Sequence, residues 1–125
     1  MCNMAVINTY NNNQIKVADI KKEYILNIID ACKHCSSIKK VVLFGSSLEE
    51  RCNQLSDIDI AVFGDRSKAK MFRLKSYHKF VDEVIKFGGV NDLQDYDILY
   101  FEDGKAGDAA ILRDIAQGAV LYERN

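Results

Sequence analysis

Val41-Val42-Leu43-Phe44-Gly45-Ser46, then ten residues, then Asp57-Ile58-Asp59-Ile60: this stretch decides the fold. Val41 to Phe44 is a short apolar run rich in β-formers and closed by glycine, which predicts a buried strand. Ile58, Ile60 and Val62 alternate with Asp57, Asp59 and Ala61, which predicts a second strand ending at Gly64. A strand repeats every two residues, so Asp57 and Asp59 fall on one face. Two carboxylates that close repel, and one is driven toward its protonated form unless a positive charge stands between them. A divalent cation resolves the conflict, and an oxygen-only ligand set suits magnesium or manganese. Gly45-Ser46 follows the first strand and opens a predicted helix from Ser46 to Cys52. Glycine lets a phosphate approach the backbone, a helix start offers free amides, and the Ser46 hydroxyl adds a donor. No Gly-Lys-Ser/Thr follows, so this is not a Walker loop.

Upstream, Val17, Ile20, Tyr24, Ile25, Ile28, Ile29 and Cys32 recur at helical spacing and predict a helix from about Val17 to Ser36. Residues 1–14 are rich in asparagine and read as a flexible tail, with a short ordered piece at Met4 to Ile7. Downstream, Met71, Leu74, Tyr77, His78, Val81, Val84 and Ile85 stripe a helix from Ser67 to Phe87, stopped by Gly88-Gly89. Gln94 to Phe101 predicts a third strand, with Tyr96, Ile98 and Tyr100 on one face and Asp97 and Leu99 on the other. If it neighbours the second strand, Asp97 completes a set of three carboxylates. Such a set can hold two metals about 3.5–4 Å apart. A helix over Asp108 to Gln117 and a short strand at Val120 to Tyr122 complete the chain. The class is α/β or α+β, with a small mixed sheet of about 3–5 strands flanked by helices.

The chain has 125 residues, which fits one domain over 1–125. Its net charge of -1 argues against broad attraction to nucleic acid, so no direct nucleic-acid contact is expected. There is neither a membrane-spanning apolar run nor a leader pattern, so a cytoplasmic protein with reduced thiols is expected. Cys32-Lys33-His34-Cys35 has a metal-like look, but no second Cys or His pair follows and His78 stands alone. A helix face is the plainer reading. Lys68, Lys70, Arg73, Lys75 and Lys79 read as a solvated helix face. Asp-x-Asp or Gly-Ser alone would mean little, because either occurs on ordinary strand faces and turns. Their order, with Asp97, among apolar strands gives them meaning.

Phe44-Gly45-Ser46, the ten-residue interval and Asp57-Ile58-Asp59-Ile60 together resemble the signature of the minimal nucleotidyltransferases, within the DNA polymerase beta superfamily. The resemblance runs from about Val17 through Tyr122. It implies a polymerase beta-like fold and transfer of a nucleoside monophosphate, with AMP from ATP as the expected case, onto a hydroxyl. It implies Asp57, Asp59 and Asp97 as metal ligands for Mg2+ or Mn2+, with Asp97 on the acceptor side. It implies Gly45 and Ser46 at the phosphates, and Ser47 and Arg51 of the same loop are expected at the nucleotide with them. Many relatives carry Arg directly after Gly-Ser and Gly three residues further on; this chain has Ser47 and Glu50 there, and its loop cation is Arg51. Many stand-alone members resemble antitoxins paired with HEPN-class toxins, which implies adenylylation of a partner tyrosine. A domain this small is expected to need a second chain, a partner or another copy, to complete acceptor recognition. The alternatives are an inactive module that neutralises a partner by occlusion, or a small-molecule transferase of the aminoglycoside type, which generally adds a helical domain this chain has no room for.

Overall fold

The alternating stretches come out as strands of one sheet. The computed structural model describes residues 3–89, 92–104 and 109–124. In chain order the elements are β1 (Met4–Asn8), β2 (Gln14–Ala18), α1 (Lys22–Cys32), β3 (Ile38–Phe44), β4 (Ile58–Gly64), α2 (Lys68–Met71), α3 (Lys75–Ile85), β5 (Tyr96–Glu102), α4 (Ala109–Ala116) and β6 (Ala119–Glu123). Two 3-10 turns, Asp19–Lys21 and Gly45–Leu48, precede α1 and follow β3. The main sheet has the order β5-β4-β3-β6. β4 and β5 run parallel, whereas β3 is antiparallel to both β4 and β6. The parallel pair requires a crossover, which α2 and α3 supply.

Each sheet face has its own cover. On one face, Ile25, Ile28, Ile29, Tyr77, Phe80 and Val84 of α1 and α3 pack with Val41, Leu43, Ile58, Ile60 and Val62. On the other, Ile111, Leu112 and Ile115 of α4 pack with Val42, Phe44, Ala61, Phe63, Leu99 and Phe101. β3 and β4 are covered on both sides, which explains why their sequences are almost continuously apolar. Within β4 the exception is Asp59, at the end next to the Gly45 turn.

Four expectations change. The segment read as a flexible tail is a hairpin: Met4–Asn8 pairs with Gln14–Ala18 in antiparallel register. Ile7, Thr9 and Val17 are buried, and the Tyr10 amide donates to the Leu121 carbonyl at 3.0 Å. Asparagine-rich composition hid the hairpin because Asn11 and Asn13 serve its turn; Asn12 there has φ of 65°. The first long helix is shorter than its stripe, because Val17 is buried from β2 rather than from a helix. The second is broken at Phe72-Arg73-Leu74. Met71 is buried from α2, and Tyr77, Phe80 and Val84 from α3, so the apolar stripe reaches the core in two pieces. The expected helix over Ser46–Cys52 is only the 3-10 turn Gly45–Leu48. The expected last helix is present as Ala109–Ala116, and Asp108, where it was expected to begin, lies outside the described residues.

Cys32 and Cys35 are buried at the end of α1, with burial pushing the Cys32 thiol up. The Cys35 Sγ lies 3.4 Å from Ser76 Oγ, and His34 faces Glu83 at 2.8 Å. All five cations of the Lys68–Lys79 stretch are exposed. No helix of the described residues is long and apolar enough to cross a membrane. The hairpin supplies a direct check. I7A is expected to lower the unfolding free energy by about 2–5 kcal/mol in urea denaturation. A loose tail would show no change.

Candidate active site

Asp59 is placed by two registers at once. Antiparallel pairing sets it opposite Phe44, the last residue of β3, and parallel pairing sets it beside Asp97 of β5. Neighbouring strands lie about 4.8 Å apart, so the two carboxylates project side by side on the α4 face. Asp57 stands two residues earlier, exposed, just before β4 begins. The structure therefore brings the three sequence-predicted acids to one end of the parallel strand pair.

Gly45 closes the site from the β3 side. Its φ is +80°, a conformation L side chains rarely adopt. A Cβ there would collide with the Asp59 carboxylate oxygen. Glycine is thus required twice, for the backbone turn and for the space Asp59 occupies. Immediately beyond, Phe44, Gly45, Leu48, Glu49, Arg51, Asp59, Asp114, Gln117 and Gly118 line a cavity of about 460 Å³. Asp114 and Gln117 went unnoticed in the sequence. They reach this cavity only because α4 reverses at Gly118 into β6, a long-range effect with no local signal.

The electrostatics are unbalanced. Burial, then the charge of Asp97, then that of Asp57 push the Asp59 carboxyl above the usual carboxylate range. Arg51 is exposed, and its Nε donates to the Glu49 carboxylate in the same loop. The one loop cation is therefore partly neutralised before any phosphate arrives. Ser46 is half-buried at the turn. Ser47, expected at the nucleotide, is fully buried, and its Oγ has no hydrogen-bond partner among the described residues. A hydroxyl so enclosed does not face the cavity's solvent, and Ser47 is not among the residues lining it.

Among the described residues, no three His, Cys, Asp or Glu side chains are gathered into a ready cage for a metal ion. The donor chemistry nonetheless fits one. Asp57, Asp59 and Asp97 offer oxygen alone, and burial together with the charges of Asp97 and Asp57 disfavours the ionised form of Asp59. A hard divalent ion is the partner such a set lacks.

The family model for polymerase beta nucleotidyltransferases matches residues 26–125. Among solved structures, a chain in the complex of a tri-AMPylated Shewanella oneidensis HEPN toxin with its MNT antitoxin is similar, at 19% identity and a TM-score of 0.50. The match covers 83% of this chain and 73% of that one. At that identity the likeness is one of fold. No curated protein matches.

Two outcomes test this geometry. The raised Asp59 carboxyl means that folded protein holds its proton more tightly than unfolded chain, so stability falls as pH rises from the ordinary carboxyl range through the raised value. D59N removes that loss and is expected to raise the Tm of metal-free protein near pH 7 by a few degrees in calorimetry, with no gain well below the ordinary carboxyl range. S47A removes an unpartnered buried hydroxyl and is expected to be neutral or stabilising by up to about 1 kcal/mol.

Proposed function

The chain belongs to the polymerase beta nucleotidyltransferase family, and from that premise we propose that it transfers AMP from ATP onto a protein hydroxyl. The single observation that carries the proposal is the pairing of Asp59 with Asp97 in parallel register beside Gly45. The acceptor oxygen attacks the α-phosphorus, the bond from that phosphorus to the bridging oxygen breaks, and pyrophosphate leaves with the electron pair. Asp57 and Asp59 face the triphosphate, while Asp97, exposed on β5, stands on the acceptor side to take the hydroxyl proton. Asp57, Asp59 and Asp97 would hold a Mg2+ or Mn2+ ion, which when bound would supply neutralisation of the triphosphate and of the departing pyrophosphate. Gly45 keeps the backbone open to the phosphates, Ser46 donates to them, and Arg51 exchanges Glu49 for phosphate oxygens as it binds.

The acceptor we infer is a tyrosine of a HEPN-type toxin, with this chain acting as its antitoxin in the cytoplasm. The fold likeness to a chain from an AMPylated toxin–antitoxin complex supports that reading. A second reading is favoured by the Glu49–Arg51 pair and the buried Ser47: the domain neutralises its partner by occlusion, with a weak site.

Labelled ATP, Mg2+, the protein and a HEPN-type partner separate the two. Transfer of label, reduced roughly a hundredfold or more in D57A and D59A, is expected for the enzyme. Occlusion predicts no label and full neutralisation by D57A/D59A. Breaking the internal pair with E49Q is expected to lower the KM for ATP severalfold, since Arg51 then meets phosphate without competition.

A further inference from the structure

Lys21 is 1% exposed, at the end of the 3-10 turn that leads into α1. A buried ammonium is costly unless its donors are satisfied. Here its three N–H groups meet three oxygens: the Ser56 carbonyl at 2.7 Å, the Gln54 carbonyl at 3.2 Å and Gln94 Oε1 at 2.5 Å. The Gln94 amide in turn donates to the Ser56 carbonyl at 3.1 Å and to the Asp95 carbonyl at 2.7 Å. Ser56 is bonded to Asp57, and Asp95 is two residues before Asp97. The Ile58 amide donates to the Asp95 carbonyl at 3.0 Å, closing the ring of contacts.

We propose that Lys21, acting through Gln94, is a positioning residue that fixes the spacing between the carboxylate of Asp57 and that of Asp97. The geometry favours this over a purely packing role. A core lysine could satisfy its donors anywhere, but this one holds the segments immediately ahead of the two acids whose charges bear on Asp59. Among the described hydrogen bonds, Lys21 and Gln94 join the 54–56 loop to residues 94–95, and the Ile58 amide joins the strand that follows. Lys21 also lies outside residues 26–125, so the device is built from a segment that the family match does not cover. It makes the N-terminal hairpin part of the site, because the Asp19 amide donates to the Asn3 carbonyl at 2.8 Å and so ties the turn carrying Lys21 to the start of the hairpin. The inference rests on the three-carboxylate site proposed above.

Two variants test it, K21M and Q94A, the second at a half-buried loop position. Mn2+ affinity is measured by water-proton relaxation, and exchange of the Ile58 amide is followed by NMR in metal-free protein. Both variants are expected to bind Mn2+ about tenfold more weakly and to exchange the Ile58 amide about tenfold faster, while amides of Ala61 and Val62 keep their protection. V84A, a core truncation on α3, serves as the control for general destabilisation, with Mn2+ affinity unchanged. Unaltered Ile58 exchange in Q94A overturns the proposal, as does a drop in Mn2+ affinity in V84A equal to that in K21M. If the wild-type protein binds no Mn2+ at all, the metal reading fails, and the amide exchange alone still decides whether Lys21 and Gln94 hold the two segments.

Discussion

The parallel pairing of β4 with β5 is the constraint on which the rest of the structure depends. It forces Asp59 and Asp97 side by side, an arrangement that costs free energy in the absence of a cation. That cost is sustained because the flanking residues are committed elsewhere. Ile58, Ile60 and Val62 are locked under α1 and α3, and Ala61 is locked under α4. Slipping β4 by one residue would relieve the acids but turn every one of these side chains to the wrong face. The apolar core thus holds the charged end in place.

The loop after β3 works against the same background. Its glycine is fixed by geometry, but its charges are not arranged as in many relatives. Glu49 and Glu50 stand beside a single Arg51, and Glu49 already engages it. The cavity beside the turn is lined by the carboxylates of Glu49, Asp59 and Asp114 and by an internally paired Arg51. An anion there would meet little net positive charge from the loop itself.

Most of the sheet was legible because its strands are short, apolar and period-two, and because Gly45 and Gly64 end two of them. The neighbouring positions of Asp59 and Asp97 were legible for the same reason, since each interrupts the apolar alternation of its strand. What failed was local. Asn11-Asn12-Asn13 reads as disorder unless its hairpin partners are known. The α2–α3 break falls at Phe72-Arg73-Leu74, where no glycine or proline marks it. Ser47 was placed at the nucleotide by its position after Gly45-Ser46, yet the 3-10 turn rotates it inward. Asp114 and Gln117 reach the cavity through the Gly118 reversal, and Lys21 reaches the site through space; neither leaves a trace in neighbouring residues.

β5 is the outermost strand of the sheet, with β4 on one side only. Its inner edge is fixed by the register, but its outer edge adds no strand to stiffen it. Asp59 sits on an interior strand paired along both edges, whereas Asp97 sits on a strand paired along one. Among the described residues, the unpaired backbone edge nearest the acids is therefore the one beside Asp97, and it is there that an incoming chain could extend the sheet next to the site.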